Sequence, residues 1–265
     1  MAAPQPVKLK GTPHERVWGV PMPGDKRIGE WWYTAEPPLP ILVKRLSTSD
    51  KLSVQVHPGG ECGLGKTEMW HILDARPGAQ IALGFNQPIR AKALRAAALS
   101  GEIEGLLRWI PVHPGETYFI PAGTIHAIGA GISLWEIQQN SDITYRLYDY
   151  GRPRELHLDR GLEAADLEAW RHPGASLARD LEDGWKRLVE CRYFTTDSRE
   201  VNGGMTYVAN RSRSELLIVL EGSGQLNSER FDAGGVWLLP AGAATGLAPD
   251  RPLRLLRTYV PSPDA

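Results

Sequence analysis

Four side chains between Leu52 and His126 have the types and spacing of a metal site. Gln55 and His57 lie two apart in the alternating run Leu52-Ser-Val-Gln-Val-His-Pro58, so on a strand both leave the same face. Glu68 opens a second strand-like run, Glu68-Met-Trp-His-Ile-Leu73, and His126 follows a Pro-Ala-Gly turn that closes a third. One amide oxygen, one carboxylate and two imidazoles arriving from separate strands form a donor set for a divalent metal inside a β-barrel. Zinc, iron, manganese and cobalt all suit such a set. The other histidines, His14, His71, His113, His157 and His172, show no comparable pattern. His71 stands at odd spacing from Glu68 and is expected on the opposite face.

The elements that must position these groups are short strands. Glycine (28 residues) and proline (21) punctuate the chain densely, and frequent turns between alternating runs suit an all-β fold. Residues 1–40 read as a loop-rich segment with two aromatic islands, Val17-Trp-Gly19 and Ile28–Tyr33, the second able to form a strand. Residues 41–57 read as two strands, and 69–85 as a hairpin turning at Arg76-Pro-Gly78. Helix is expected over 91–107, interrupted near Ser100-Gly101, and again around 155–172 (the run Leu162–Trp170), ended by His172-Pro-Gly174.

A degenerate repeat runs through the chain. Gly115, Pro121-Ala-Gly123 and His126 recur at the same offsets as Gly234, Pro240-Ala-Gly242 and Thr245. Glu68 and Asp74 recur as Glu215 and Glu221. The second copy has threonine where the first has His126, and no histidine follows His172, so it carries the frame without the imidazoles.

Composition narrows the classes. Thirty basic and 31 acidic side chains give a formal charge of −1, which excludes general nucleic-acid binding through a basic surface. Cys62 and Cys191 have no metal-type spacing and read as two reduced thiols. No secretory signal pattern opens the sequence, and no apolar run approaches the ~20 residues that span a bilayer. The expectation is a cytoplasmic protein with no membrane and no nucleic-acid partner; oligomeric state is left open.

Gly-x5-Pro-x-Gly-x2-His at 115–126 resembles the second cupin motif, and Gln55-x-His57-x10-Glu68 resembles a variant of the first. The finer text resembles type I mannose-6-phosphate isomerase in its short bacterial form. It does so through Leu-Ser-Val-Gln-Val-His-Pro at 52–58, Gly-Lys-Thr-Glu-Met-Trp at 65–70, Pro-Ala-Gly-Thr-Ile-His-Ala at 121–127, and Glu-Ile-Gln-Gln-Asn-Ser-Asp-Ile-Thr-Tyr-Arg-Leu-Tyr-Asp-Tyr at 136–150. The match is strong from about Lys44 to Arg152, and the C-terminal third follows the family's second cupin in outline.

The resemblance implies two cupin jelly-roll barrels and one zinc per chain, held by Gln55, His57, Glu68 and His126. It implies catalytic roles for Arg146, Lys66 and Glu136, and substrate contacts from Asp142 and, at the phosphate, from Lys44, Ser53 and Arg152. In domain terms it implies an N-terminal metal-binding cupin over 1–155 with a helical insertion near 91–107. A helical linker over 156–185 and a degenerate cupin over 186–265 follow. The implied activity is interconversion of mannose 6-phosphate and fructose 6-phosphate through an enediolate. Two rival readings remain: a metal-dependent cupin oxygenase, disfavoured by Gln55 in place of a third imidazole, and a non-catalytic phosphosugar-binding cupin.

Overall fold

Side-chain alternation decides the architecture. In the computed structural model, which describes residues 4–60, 63–171 and 175–261, almost every alternating run becomes an antiparallel strand. Cys62 and the His172-Pro-Gly174 stop lie outside the described residues. The chain divides into two compact units, one made of Thr12–Trp32 and Leu42–Ser176, the other of Met1–Gly11, Tyr33–Ile41 and Leu177–Ala265.

The first of these units holds two sheets. One has six strands in the order Gly11–Pro21, Arg27–Tyr33, Ile41–Ser47, Ile132–Gln139, Glu68–Ala75 and Thr117–Ile120. The other has five, in the order Tyr145–Tyr148, Val54–Val56, His126–Ile128, Gln80–Phe85 and Leu107–Pro111. Trp70, Ile72, Tyr118, Ile120 and Leu134 from the larger sheet share one buried cluster with Ile81, Leu83 and Ile128 from the smaller. The two sheets therefore face each other across a common core.

Three helices cover the outer face of the five-stranded sheet: α1 (Ala91–Ser100), α2 (Ile103–Leu106) and α3 (Leu158–Ala164). Leu94, Ala97 and Ala98 of α1 bury against Val54, Val56, Ala82 and Ala127, which are the outward residues of their strands. The interruption expected at Ser100-Gly101 is present, with Gly101 closing α1 in the left-handed conformation at φ +86°.

Three expectations are corrected. Residues 11–21, read as part of a loop-rich segment, form the strand Gly11–Pro21, because their backbone pairs with Arg27–Tyr33 at the sheet edge. Residues 69–85 do not form a hairpin: the tight turn exists, with Ala79 N–H donating to Arg76 O at 2.9 Å, but its two strands lie in different sheets. Each is already flanked on both edges, Glu68–Ala75 by Ile132–Gln139 and Thr117–Ile120, and Gln80–Phe85 by His126–Ile128 and Leu107–Pro111. The second helix lies within the expected 155–172 patch but is shorter than it. α3 ends at Ala164, because the backbone that follows is claimed by partners far away in sequence. Asp166 N–H donates to Gly123 O, Trp170 N–H donates to Phe85 O, and Leu167 O accepts from Ile89.

The other unit has a seven-stranded sheet containing Val7–Leu9, Glu215–Glu221, Val236–Leu239 and Leu253–Tyr259, and a four-stranded sheet containing Met205–Val208 and Ala244–Pro249. Its core gathers Trp185, Tyr207, Leu217, Phe231, Trp237 and Leu247. The sequence repeat is a repeat of backbone bonds. Gly115 N–H donates to Ile72 O as Gly234 N–H donates to Val219 O, and Gly123 N–H donates to His57 O as Gly242 N–H donates to Asn210 O. Glu68 pairs with Ile120 and Glu215 with Leu239, while His126 faces Gln55 and Thr245 faces Tyr207.

Candidate metal centre and its pocket

The alternation that builds the core also aims the donors. Val54 and Val56 bury toward the helices, so Gln55 between them points into the space between the sheets. His126 shares the face of Ile128, and Glu68 shares the face of Trp70 and Ile72, all three of which belong to the core between the sheets. His71, on the opposite parity, meets Thr117 through Nδ1 and Oγ1 at 2.9 Å on the other face, as its odd spacing requires.

His57, Glu68 and His126 converge so that one donor atom from each lies within 4.8 Å of the others. Both imidazoles are held in one tautomer. His57 Nδ1–H donates to Ile143 O and His126 Nδ1–H donates to Thr124 O, each at 2.8 Å. This leaves the Nε2 lone pairs directed at the cluster, as a ligating histidine requires. Burial pushes both imidazoles down, His57 with the further help of the Lys66 charge, His126 to about 4. Both are therefore neutral, ligand-competent bases at physiological pH.

Glu68 is fully buried and its Oε1 has no hydrogen-bond partner among the described residues. Such an orphaned carboxylate oxygen calls for a cation. The Lys66 ammonium supplies positive charge here, donating to Glu68 Oε2 and, at 3.0 Å, to His57 Nε2. Two imidazole nitrogens and a carboxylate already gathered about an ammonium fit a divalent cation. Gln55 stands beside them: its amide N–H donates to His126 Nε2 at 3.3 Å while Ser53 Oγ–H donates to its Oε1 at 3.1 Å. A half-turn of the carboxamide exchanges the two atoms and turns the oxygen to the cluster.

A pocket of about 440 Å³ opens beside this centre. Gln55, Lys66, Glu136, Lys44, Ser53, Asp142 and Arg146 all line it. Glu136 is bonded on every side: Oε1 stands 3.2 Å from Lys44 Nζ and 3.7 Å from Lys66 Nζ, and Oε2 accepts from Trp70 Nε1 at 3.1 Å. Burial raises its carboxyl, but the Lys66 and Lys44 charges outweigh burial and hold it down to about 2. Lys66 shifts the other way, since Glu136 and Glu68 overcome its burial and raise it, so it remains an ammonium. Asp142 is exposed at the pocket wall. Arg146 lies opposite Gln55 across the strand pair and donates through Nη1 to Glu155 O at 2.8 Å. Of the residues expected at the site, His57, Glu68 and His126 lie buried behind this lining, and Arg152 does not line the pocket.

Several lining residues escaped the sequence reading: Arg16, Glu30, Trp32 and Arg154. Arg16 grips Glu30 through Nε and Nη2 at 3.1 and 2.8 Å, and Trp32 Nε1–H donates to the same carboxylate at 2.6 Å. Lys44 Nζ lies 4.4 Å from the Trp32 ring centre. The signal was period-two spacing: Arg16 with Trp18, and Glu30 with Trp32, share faces within the two aromatic islands.

No family model matches the chain. Mannose-6-phosphate isomerase ManA of Bacillus subtilis is 37% identical over 221 residues, covering 77% of this chain and 70% of the relative. Mannose-6-phosphate isomerase of Streptococcus mutans is 35% identical over 201 residues, covering 71% and 62%. The crystal structure of the mannose 6-phosphate isomerase from Bacillus subtilis superposes with a TM-score of 0.83 at 27% identity, over 97% of this chain and 100% of that one. A putative mannosephosphate isomerase from Archaeoglobus fulgidus, 17% identical, shares the fold with a TM-score of 0.79. With its predominantly β architecture and its buried His, Glu, His cluster, the chain belongs to the mannose-6-phosphate isomerase family.

Proposed function

We propose that the chain is a zinc-dependent aldose–ketose isomerase that interconverts mannose 6-phosphate and fructose 6-phosphate through an enediolate. The observation that carries this reading is the buried His57, Glu68 and His126 cluster at the edge of a pocket walled by Lys66, Glu136 and Arg146. Gln55, His57, Glu68 and His126 hold the ion, one per chain. A bound zinc supplies Lewis acidity at the sugar's carbonyl and hydroxyl oxygens. Lys66 donates a hydrogen bond to a sugar oxygen at the same end. Glu136, kept ionised by two ammoniums, accepts from a hydroxyl rather than storing a proton. Arg146 sets a fixed positive charge beside the oxygens that gain negative charge along the reaction. Lys44, Ser53 and Asp142 orient the rest of the sugar phosphate.

The finer architecture follows from the same reading. In each unit the two antiparallel sheets form a cupin barrel, with the metal ligands in the unit of Thr12–Trp32 and Leu42–Ser176 and none among the described residues of the other. The opposed sheets with a shared core and the repeated glycine turns support it. Most of the stretch 156–185 that was expected to link two domains, α3 included, packs in the metal-binding unit. A free Cys191 thiol and the absence of a bilayer-length apolar helix among the described residues accord with a cytoplasmic location.

The test is turnover of mannose 6-phosphate by metal-stripped protein before and after zinc is restored. Activity that returns with zinc and is lost in an Arg146→Ala variant that still binds the metal supports the reading. A fully metal-loaded protein that turns over no sugar phosphate overturns it.

A further inference from the structure

Two arginines follow the Tyr145–Tyr148 strand, and the structure gives them different work. Arg152 spends its donors on the protein. Nη1 donates to Asp149 Oδ1 at 3.1 Å, and Nη2 donates to Asp50 Oδ2 at 3.0 Å and to Lys51 O at 2.6 Å. Arg154 lines the pocket. Its Nε and Nη2 are gripped by Asp149 Oδ2 and Oδ1, both at 2.6 Å. That carboxylate is only 2% exposed, so one edge of the guanidinium is fixed in place. The remaining nitrogen, Nη1, makes no hydrogen bond to another described residue.

Charge separates this end of the pocket from the rest. Arg16 is matched by Glu30, and Lys44 and Lys66 by Glu136 and Glu68. Arg146 has no carboxylate within salt-bridge distance among the described residues, and its buried Nε has no hydrogen-bond partner. Arg154 shares its one carboxylate with Arg152. The two guanidiniums also repel: burial first and the Arg154 charge second hold Arg146 below its ordinary value. Asp149 and Glu155 are the carboxylates whose charge reaches Arg146, and Glu15 and Asp142 also line the pocket; none of them forms an ion pair with Arg146. A guanidinium fixed along one edge, with unused N–H groups on the other and a second positive charge nearby, matches the geometry and charge of a phosphate dianion.

We propose that Arg154 holds the phosphate of the substrate, with Arg146 standing between it and the metal cluster, and that Arg152 is a strut fixing the loop from which Arg154 reaches the pocket. This rests on the isomerase reading above. The sugar's reacting carbons lie at the metal cluster and its phosphate at the opposite end of the carbon chain. Arg146 stands next to the cluster through its pairing with Gln55, and Arg154 extends the positive wall beyond it. Asp149 acts as the orienting carboxylate behind the phosphate ligand. Because Arg152 continues to pair with Asp149 when Arg154 is replaced, the substitution orphans no buried charge.

The experiment uses the metal-loaded full chain. Calorimetry measures the Kd of inorganic phosphate, and kinetics measure KM and kcat for mannose 6-phosphate, in the wild type and in Arg154→Met, Arg154→Lys and Arg152→Met. Loss of a charged, bidentate donor is expected to raise the phosphate Kd and the sugar-phosphate KM together by about 10–100-fold in Arg154→Met, with a far smaller change in kcat. Arg154→Lys, which restores the charge without the fork, is expected to fall between. Arg152→Met is expected to lower thermal stability while phosphate Kd stays within about two-fold of wild type. A phosphate Kd unmoved by Arg154→Met, or raised by Arg152→Met instead, overturns the assignment. A wild type that binds phosphate through Arg154 yet isomerises no sugar phosphate would refute the isomerase reading and leave the anion site standing.

Discussion

Lys66 shows how much one side chain can settle. It precedes the Glu68–Ala75 strand, yet its ammonium lies between two carboxylates and an imidazole, and all four groups are buried. The sequence places it on the metal-facing side only through its even spacing from Glu68, and the structure brings it there from a loop. Arg146, by contrast, owes its place to strand register alone. On the proposed reaction its loss removes one fixed positive charge from beside the developing oxyanion, so Arg146→Ala should lower kcat by roughly 10²–10³-fold, measured in the zinc-restored assay. The histidines make a prediction about pH. His126 is depressed from 6.5 to about 4 in the fold, so between those values the unfolded chain takes up a proton that the folded chain refuses. The share of the metal-free protein's stability that comes from His126 is therefore present above pH 6.5 and lost as pH drops toward 4, about 3 kcal/mol. Glu68, raised by burial to about 7, takes up a proton in the fold over the same range and offsets part of that loss. His57 adds to the loss in the same direction. A melting-temperature titration of metal-stripped protein checks this, and His126→Gln should flatten it.

At the scale of elements, the Pro121-Ala-Gly123 turn is where sequence and site meet most closely. Gly123 adopts φ +87°, and a Cβ there would stand 3.1 Å from Ala164 O. Its counterpart Gly242, at φ +72°, has open space around the same position. Gly123→Ala should therefore cost more than Gly242→Ala, about 1–2 kcal/mol from the left-handed backbone alone plus the crowding, as urea denaturation would show. It should also weaken metal binding, since Gly123 N–H ties the turn to His57 O three residues before His126. Period-two alternation made the strands, the four donors and the turn legible in the sequence. It could not reveal which strands share a sheet, and so the 69–85 run looked like a hairpin. Nor could it show that backbone pairing with Phe85 and Gly123 would end α3 early. Local propensity favoured helix at 162–170, and long-range hydrogen bonds took precedence. Arg154 was hidden for a related reason: Asp149, five positions earlier, selects between two arginines by geometry that spacing does not encode.

Across the whole molecule, one frame is used twice with different contents. Where Gln55, Glu68 and His126 converge in one unit, Tyr207, Glu215 and Thr245 stand in the other. There the Tyr207 hydroxyl donates to the Glu215 carboxylate. The neighbouring ion pair is reversed in sign. Glu136 lies opposite Trp70 and binds Lys44, whereas Arg257 lies opposite Leu217 and binds Asp197. A phenol proton thus does in the second unit what a cation does in the first. Tyr207→Phe should leave Glu215 buried and short of a partner at a cost of about 1–3 kcal/mol, read by thermal unfolding. Metal content should remain one ion per chain in that variant, because Thr245 brings no imidazole. The division of the chain holds a last consequence. Lys8 pairs with Trp237, in register with its neighbours Val7 and Leu9, so a sheet built mainly from late sequence is finished by an early strand. During synthesis that strand has no partner until nearly all of the other elements have been made, and it must stay out of wrong pairings meanwhile. Its shortness, three residues with Val7 and Lys8 exposed, keeps so long a wait safe.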